Sequence, residues 1–284
     1  MNSLKQRTLN ILDKYNLNAK KRLGQNFLID EAVLDKIIRE SNINDSCGVI
    51  EIGPGIGSLT NKLVNNAKKV LCYEIDKDMV DILNDTISAD NLKIIEKDFL
   101  KADIEKDLDY FNDCDCVKVV SNLPYYITTP IVFKLLESNT NVNDYYFMVQ
   151  KEVGERFSGK VKTKEYNSLS VAIAFLGGAK ILFNVSSNSF FPAPKVDSVV
   201  INVRKEDKGY IVDNKKTFLR FVQNIFSMRR KTLVNNIIAS YPISKNEATS
   251  LLKELGHKES IRSEELNVSE IVDIYNIIRS KTND

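Results

Sequence analysis

The stretch GVIEIGPGIGSLTNKLV, residues 48–64, holds a short β-branched run, a turn with three glycines in five residues, and a segment of helical apolar spacing. A strand feeding a helix through a glycine-rich turn is the opening unit of an α/β sheet, and it places backbone where a ligand can approach closely. Ser58 stands where the dinucleotide fingerprint G-x-G-x-x-G requires its third glycine, so a pyrophosphate is not the favoured ligand. Taken alone, the turn serves a ligand loop and tight packing equally well.

Outward from this unit the same alternation continues. VLCYEI (70–75), a helix over 79–87, LKIIEKD (92–98), CVKVVSN (116–122), a helix beginning near Thr129 and YYFMVQ (145–150) predict a mostly parallel sheet with helices on both faces. AKILFNVSS (179–187) and VDSVVINVRK (196–205) read as an antiparallel hairpin finishing it. After the charged linker KEDKG (205–209), apolar residues recur at helical spacing, broken by Pro242 and Gly256. The expected organisation is an α/β domain over 1–208 and a small all-α domain over 209–284.

Composition narrows the function. With 284 residues, 43% of them apolar, the chain has the make-up of an ordinary globular protein. No uncharged apolar run is long enough to span a bilayer, and the N-terminus has no signal-peptide pattern, so a cytoplasmic protein is expected. A single histidine, His257, argues against a histidine-dependent triad and against a metal centre. Cys47, Cys72, Cys114 and Cys116 fall on or beside strands and are expected as reduced, apolar thiols. Forty basic against 38 acidic residues leave a charge of only +2, so any nucleic-acid contact must come from local clusters. Three such clusters stand out: Lys20-Lys21-Arg22; Lys160, Lys162 and Lys164; and Arg229-Arg230-Lys231.

Two carboxylates follow the next two strands, Glu74 in YEID and Asp98 in EKDF. The first can accept from a ribose diol and the second from an adenine amino group; Asp76 competes for the diol. Each alone could be a helix cap, but together with the glycine turn they favour an adenosine-bearing cofactor.

At this point a resemblance becomes specific. Gly53-Pro54-Gly55-Ile56-Gly57, Glu74 and Asp98 resemble motifs of class I S-adenosylmethionine methyltransferases, whose sheet is Rossmann-like. Asn122-Leu123-Pro124-Tyr125 resembles the motif of those that methylate an exocyclic amino group. KKRLGQNFLID (20–30), FFPAPKVDS (190–198) and MRRKTL (228–233) are similar to segments of the bacterial small-subunit rRNA adenine N6,N6-dimethyltransferase family. The resemblance implies S-adenosylmethionine as cofactor. It implies donor contacts from Asn26, Leu28, Gly53, Gly55, Glu74, Asp98 and Asn122. The substrate it implies is a pair of neighbouring adenines near the end of small-subunit rRNA in a nearly assembled subunit, and the protein is expected to be monomeric.

The NLPY tetrapeptide has a chemical logic of its own. Methylating an adenine amino group needs no strong base, because the leaving group is neutral and the cationic amine loses its proton after attack. The obstacle is a lone pair delocalised into the ring. Acceptors at the two N–H groups, the Asn122 side-chain oxygen and the Leu123 or Pro124 carbonyl, favour a pyramidal nitrogen in line with the methyl. Proline at 124 fixes φ and withholds a donor, so the turn presents acceptors. Tyr125 offers a face for an extracted adenine, and by resemblance Phe190 closes the other side; Tyr126 is expected in the core. Lys20, Lys21, Arg22, Arg229, Arg230 and Lys231 are expected to grip phosphates. The rival readings are a large-subunit adenine dimethyltransferase of the macrolide-resistance type, a mainly non-catalytic assembly checkpoint and, more distantly, a DNA adenine methyltransferase or a nicotinamide-dependent oxidoreductase.

Overall fold

The computed structural model describes residues 3–17 and 26–282. Its strands are β1 (Phe27–Leu28), β2 (Cys47–Ile52), β3 (Lys69–Glu74), β4 (Leu92–Glu96), β5 (Cys116–Asn122), β6 (Asp144–Gln150), β7 (Gly177–Val185), β8 (Phe190–Phe191) and β9 (Ser198–Lys205). Seven form one sheet in the order β4-β3-β2-β5-β6-β9-β7. The pairs from β4 to β6 are parallel, and β9 runs antiparallel to β6. This is the expected mostly parallel class I methyltransferase sheet with antiparallel strands at one end. The small β1–β8 ribbon was not legible as strands, because two residues carry no periodicity.

Burial explains the arrangement. Every residue of β2 is buried and only Lys69 of β3 is not, as a strand covered on both faces requires. Val49, Leu63 and Val70 are fully buried in one core with Leu34 and Cys72. The helix Glu31–Ser41 is capped by Asp30, which accepts from the Ala32 and Val33 N–H groups, and closed by left-handed Asn42.

One expectation about cysteine is corrected. Cys47 and Cys116 are joined by a disulfide, their Cα atoms 4.9 Å apart. They are register partners of the parallel β2–β5 pair, a neighbourhood that a separation of 69 residues conceals. Cys72 and Cys114 are free thiols.

The chain forms two compact units, one of residues 1–154 with 180–205 and one of residues 155–179 with 206–284. The second differs from a single cut after residue 208 by taking in residues 155–179 and 206–208. The reason is the apolar helix Ser168–Leu176: the Phe175 ring lies 4.2 Å from that of Phe218 in the helix Lys215–Ile225. Phe218 meets Tyr275 of the helix Val268–Thr282 at 5.3 Å, and Tyr275 donates to Asp213 at 2.5 Å. The helices Leu233–Ser240 and Lys245–Glu254 complete this unit.

Gly57 sits at φ +84°, and a Cβ there would lie 2.6 Å from Ile87 and 2.7 Å from Leu83. Gly57→Ala combines backbone strain with overpacking and is expected to cost about 1–3 kcal/mol, read as a lower midpoint in urea unfolding.

Candidate active site

The sheet order reverses direction around β2: β3 and β4 lie to one side, β5 and β6 to the other. At such a switch point the loops leaving adjacent strands diverge and a crevice opens beyond their carboxyl ends. Here the backbone pairing of β2 with β5 stops at Ile50 and Val119. Past it, the buried Ser121 hydroxyl takes over, accepting from the Ile52 N–H at 3.3 Å and donating to the Ile52 carbonyl at 2.6 Å.

The crevice is a cavity of about 250 Å³. Its walls include Asn26, Leu28, Gly53, Gly55, Glu74, Asp98, Asn122, Leu123, Pro124 and Tyr125, so segments far apart in sequence converge on one space. Gly53 and Gly55 hold φ of +69° and +58°, and the Pro124 ring lies 3.2 Å from where a Gly53 Cβ would stand. The second turn is therefore pressed against bare backbone of the first.

Glu74 is buried and its two oxygens are held by backbone. Gly55 donates to Oε2 at 3.2 Å; Ile75 and Asp76 donate to Oε1 at 2.8 and 2.9 Å. Burial raises its pKa, and those N–H bonds oppose the rise. A carboxylate so fixed keeps lone pairs for a diol. Asp98 caps the turn Phe99–Lys101 by accepting from Leu100 at 2.9 Å through one oxygen, leaving the other for a ligand. Asp76, the competitor for the diol, caps the helix Lys77–Thr86 and is not on the cavity wall.

The acceptors of the NLPY turn separate cleanly. The Pro124 carbonyl already receives the Ile127 N–H at 3.2 Å and the Thr128 hydroxyl at 3.0 Å. Neither the Leu123 carbonyl nor the Asn122 amide has a hydrogen-bond partner among the described residues. Tyr125 is anchored through its hydroxyl to the buried Ser198 Oγ at 2.8 Å, which ties NLPY to the FFPAPKVDS segment.

The aromatic rings fall differently from expectation. Phe190 is buried, does not reach the cavity wall, and packs in the core with Leu28, its β1 register partner. Alternation along β8 turns Phe190 inward and Phe191 outward. Tyr126, expected in the core, is 53% exposed and lines the cavity. Arg229, Arg230 and Lys231 are exposed on the second unit, while Lys20, Lys21 and Arg22 lie outside the described residues.

Sequence reading missed Glu51, whose signal was a charge inside an apolar strand run. It lines the cavity fully buried, accepting from the Thr60 hydroxyl at 2.7 Å and the Cys72 thiol at 3.5 Å. Burial pushes its pKa up to about 7. A carboxyl whose folded pKa lies above its unfolded value stabilises most when protonated. Stability is therefore highest below about 4.5 and falls as pH rises toward 7. Relative to Glu51→Gln, the unfolding free energy is expected to drop by up to about 3 kcal/mol across that window, measured by urea titrations at several pH values.

A family model described as "Ribosomal RNA adenine dimethylase" matches residues 16–280. A protein from Bacillus licheniformis named ribosomal RNA small subunit methyltransferase A is 46% identical over 252 residues, covering 88% of this chain and 86% of the relative. Its namesake in Bacillus pumilus is 44% identical over 280 residues, 96% of each chain. The crystal structure of a dimethyladenosine transferase from Plasmodium falciparum superposes with a TM-score of 0.71 at 27% identity, covering 90% of this chain and 98% of that one. The 23S rRNA methyltransferase ErmE shares the fold, with a TM-score of 0.60 at 22% identity over 89% of this chain and 99% of its own. With the motif match running nearly end to end and the cavity built where its residues meet, the chain belongs to the ribosomal RNA adenine dimethylase family.

Proposed function

We propose that the protein dimethylates the N6 amino groups of two neighbouring adenines near the 3′ end of small-subunit rRNA, late in assembly of that subunit. The observation that carries this reading is a pair of acceptors without a partner among the described residues, the Asn122 amide oxygen and the Leu123 carbonyl, on the wall shared with Gly53 and Glu74. Family membership supplies the adenine and the dimethylation. The naming of relatives in Bacillus supports the small subunit over the large one.

S-adenosylmethionine supplies a methyl group on a positively charged sulfur, which leaves as a neutral thioether. The residues present fit that donor. Gly53 and Gly55 would leave room for it, Glu74 would accept from its ribose hydroxyls, Asp98 would accept from its purine amino group, and Asn26 and Leu28, on the same wall, would pack against it. Asn122 and Leu123 accept the two N–H groups of the target amine. This orients its lone pair at the methyl and lowers the cost of taking it out of conjugation. The proton released after attack goes to solvent at the open mouth. Tyr125 stacks on the extracted base, its ring angle set by Ser198. Phe190 holds the β1 ribbon behind Leu28 in this reading, and Tyr126 occupies the mouth.

Isolated, undermethylated small and large subunits incubated separately with labelled donor, followed by mapping of the modified base, test the assignment. Label confined to adjacent adenines of the small-subunit rRNA is expected; label in the large subunit alone would refute it. Asn122→Ala is expected to reduce methyl transfer about 10²–10³-fold while subunit binding persists, measured by parallel transfer and co-sedimentation assays.

A further inference from the structure

Two tyrosines stand side by side after Pro124, and the NLPY motif ends on the first of them. Pro124 to Ile127 form a four-residue turn, closed by the Ile127 N–H on the Pro124 carbonyl at 3.2 Å, with Tyr125 and Tyr126 as its central residues. Their side chains part there. Tyr125 is tied to Ser198 at the start of β9, whereas the Tyr126 hydroxyl has no hydrogen-bond partner among the described residues. Tyr126 stands instead on the cavity wall with Glu74 and Asp98, which leave the ends of β3 and β4. In the sheet order β3 and β4 lie on one side of β5 and β9 on the other, so the two rings lean toward opposite ends of the cleft.

Partial burial and the negative charges of Glu74 and Asp98 hold the Tyr126 hydroxyl above the ordinary tyrosine range. That pair of neighbours locates the ring along the donor. With Glu74 on the ribose hydroxyls and Asp98 on the purine amino group, a side chain close to both lies beside the base that joins them. Exposed large apolar side chains are few among the described residues, and two of them share this wall: Tyr126 is 53% exposed and Ile75 is 54% exposed. Ile75 is held there by its N–H on Glu74 Oε1 at 2.8 Å. Apolar surface left in water is costly, and a flat aromatic ligand laid against it removes that cost. The target adenine is not that ligand, because its amine belongs at Asn122 and Leu123 and its ring on Tyr125.

We propose that Tyr126 is a donor-binding residue whose ring stacks on the adenine of S-adenosylmethionine and covers it at the mouth of the cavity. The inference rests on the placement of Glu74 and Asp98 against the adenosine in the function proposed above, and it gives the second tyrosine a ligand of its own. The adenosine is the same before and after the methyl group leaves. Stacking on it therefore tightens donor and product alike, and its loss is read as weaker binding of both.

The chain has no tryptophan, so Tyr126→Trp places a single indole at the mouth of the full-length protein. Titration of this variant with S-adenosylhomocysteine, the thioether product, is expected to quench the indole emission. Adenosine alone is expected to quench it at higher concentration, and methionine alone to leave it unchanged. By calorimetric titration, Tyr126→Ala is expected to bind S-adenosylmethionine about 10-fold more weakly than wild type, and Tyr126→Phe within about 2-fold of it. The alanine variant should melt with the wild type, because the lost ring is exposed. Emission that saturating product does not alter would overturn the stacking even if the alanine variant failed to fold. Wild-type donor affinity in Tyr126→Ala, with a raised KM for small subunits, would assign the ring to RNA and overturn it too. Either result would leave the proposed function standing, whereas wild-type protein that binds no S-adenosylmethionine would refute that reading as well.

Discussion

The close approach of two backbone turns at the point where strand order reverses is the constraint on which the cavity depends. The Gly53–Gly57 turn is pinned by the Gly53 N–H to the Tyr73 carbonyl at 2.8 Å, and the NLPY turn by the Leu123 N–H to the Met148 carbonyl at 3.1 Å. Between them the β2–β5 ladder has ended, and the Ser121 hydroxyl satisfies backbone groups that strand pairing no longer reaches. With Pro124 lying 3.2 Å from where a side chain at 53 would begin, glycine there is a condition of the two turns meeting at all.

Charge within the cavity follows from the same geometry. Glu51 and Glu74 leave two neighbouring strands of a sheet buried on both faces, so both carboxyls are drawn out of water. Glu74 remains tied to three backbone N–H groups, whereas among the described residues Glu51 has a hydroxyl and a thiol as donors. Burial, opposed only by the Thr60 and Cys72 hydrogen bonds, pushes the Glu51 pKa up to about 7, so this group is poised between charged and neutral forms. A cation-bearing donor in such a space would favour the charged forms of these carboxyls, opposing the effect of burial.

The second unit is built on another principle. Its core is a chain of rings, Phe175, Phe218, Tyr275 and Phe221, spaced 4.2–5.4 Å apart. Arg229, Arg230 and Lys231 are exposed on its surface. The near-neutral total of the chain averages this local excess away, which is why bulk charge was silent about a nucleic-acid partner.

Sequence alone determined whatever depends on neighbours along the chain. The strand–glycine–helix unit, the carboxylates after the second and third parallel strands, and the NLPY turn were legible because residue type and spacing act locally there. Tertiary structure alone decided the rest, because each such feature needs a register or a contact between distant segments. The parallel pairing of β2 with β5 brought Cys47 beside Cys116. Alternation in a two-residue strand turned Phe190 into the core, and the fold of the NLPY turn spent the Pro124 carbonyl and left that of Leu123. Residues 155–179 went with the helical unit because one ring packs against another more than forty positions away. Local pattern fixes conformation over a few residues, but which side of a strand or which carbonyl faces a ligand depends on what packs behind it.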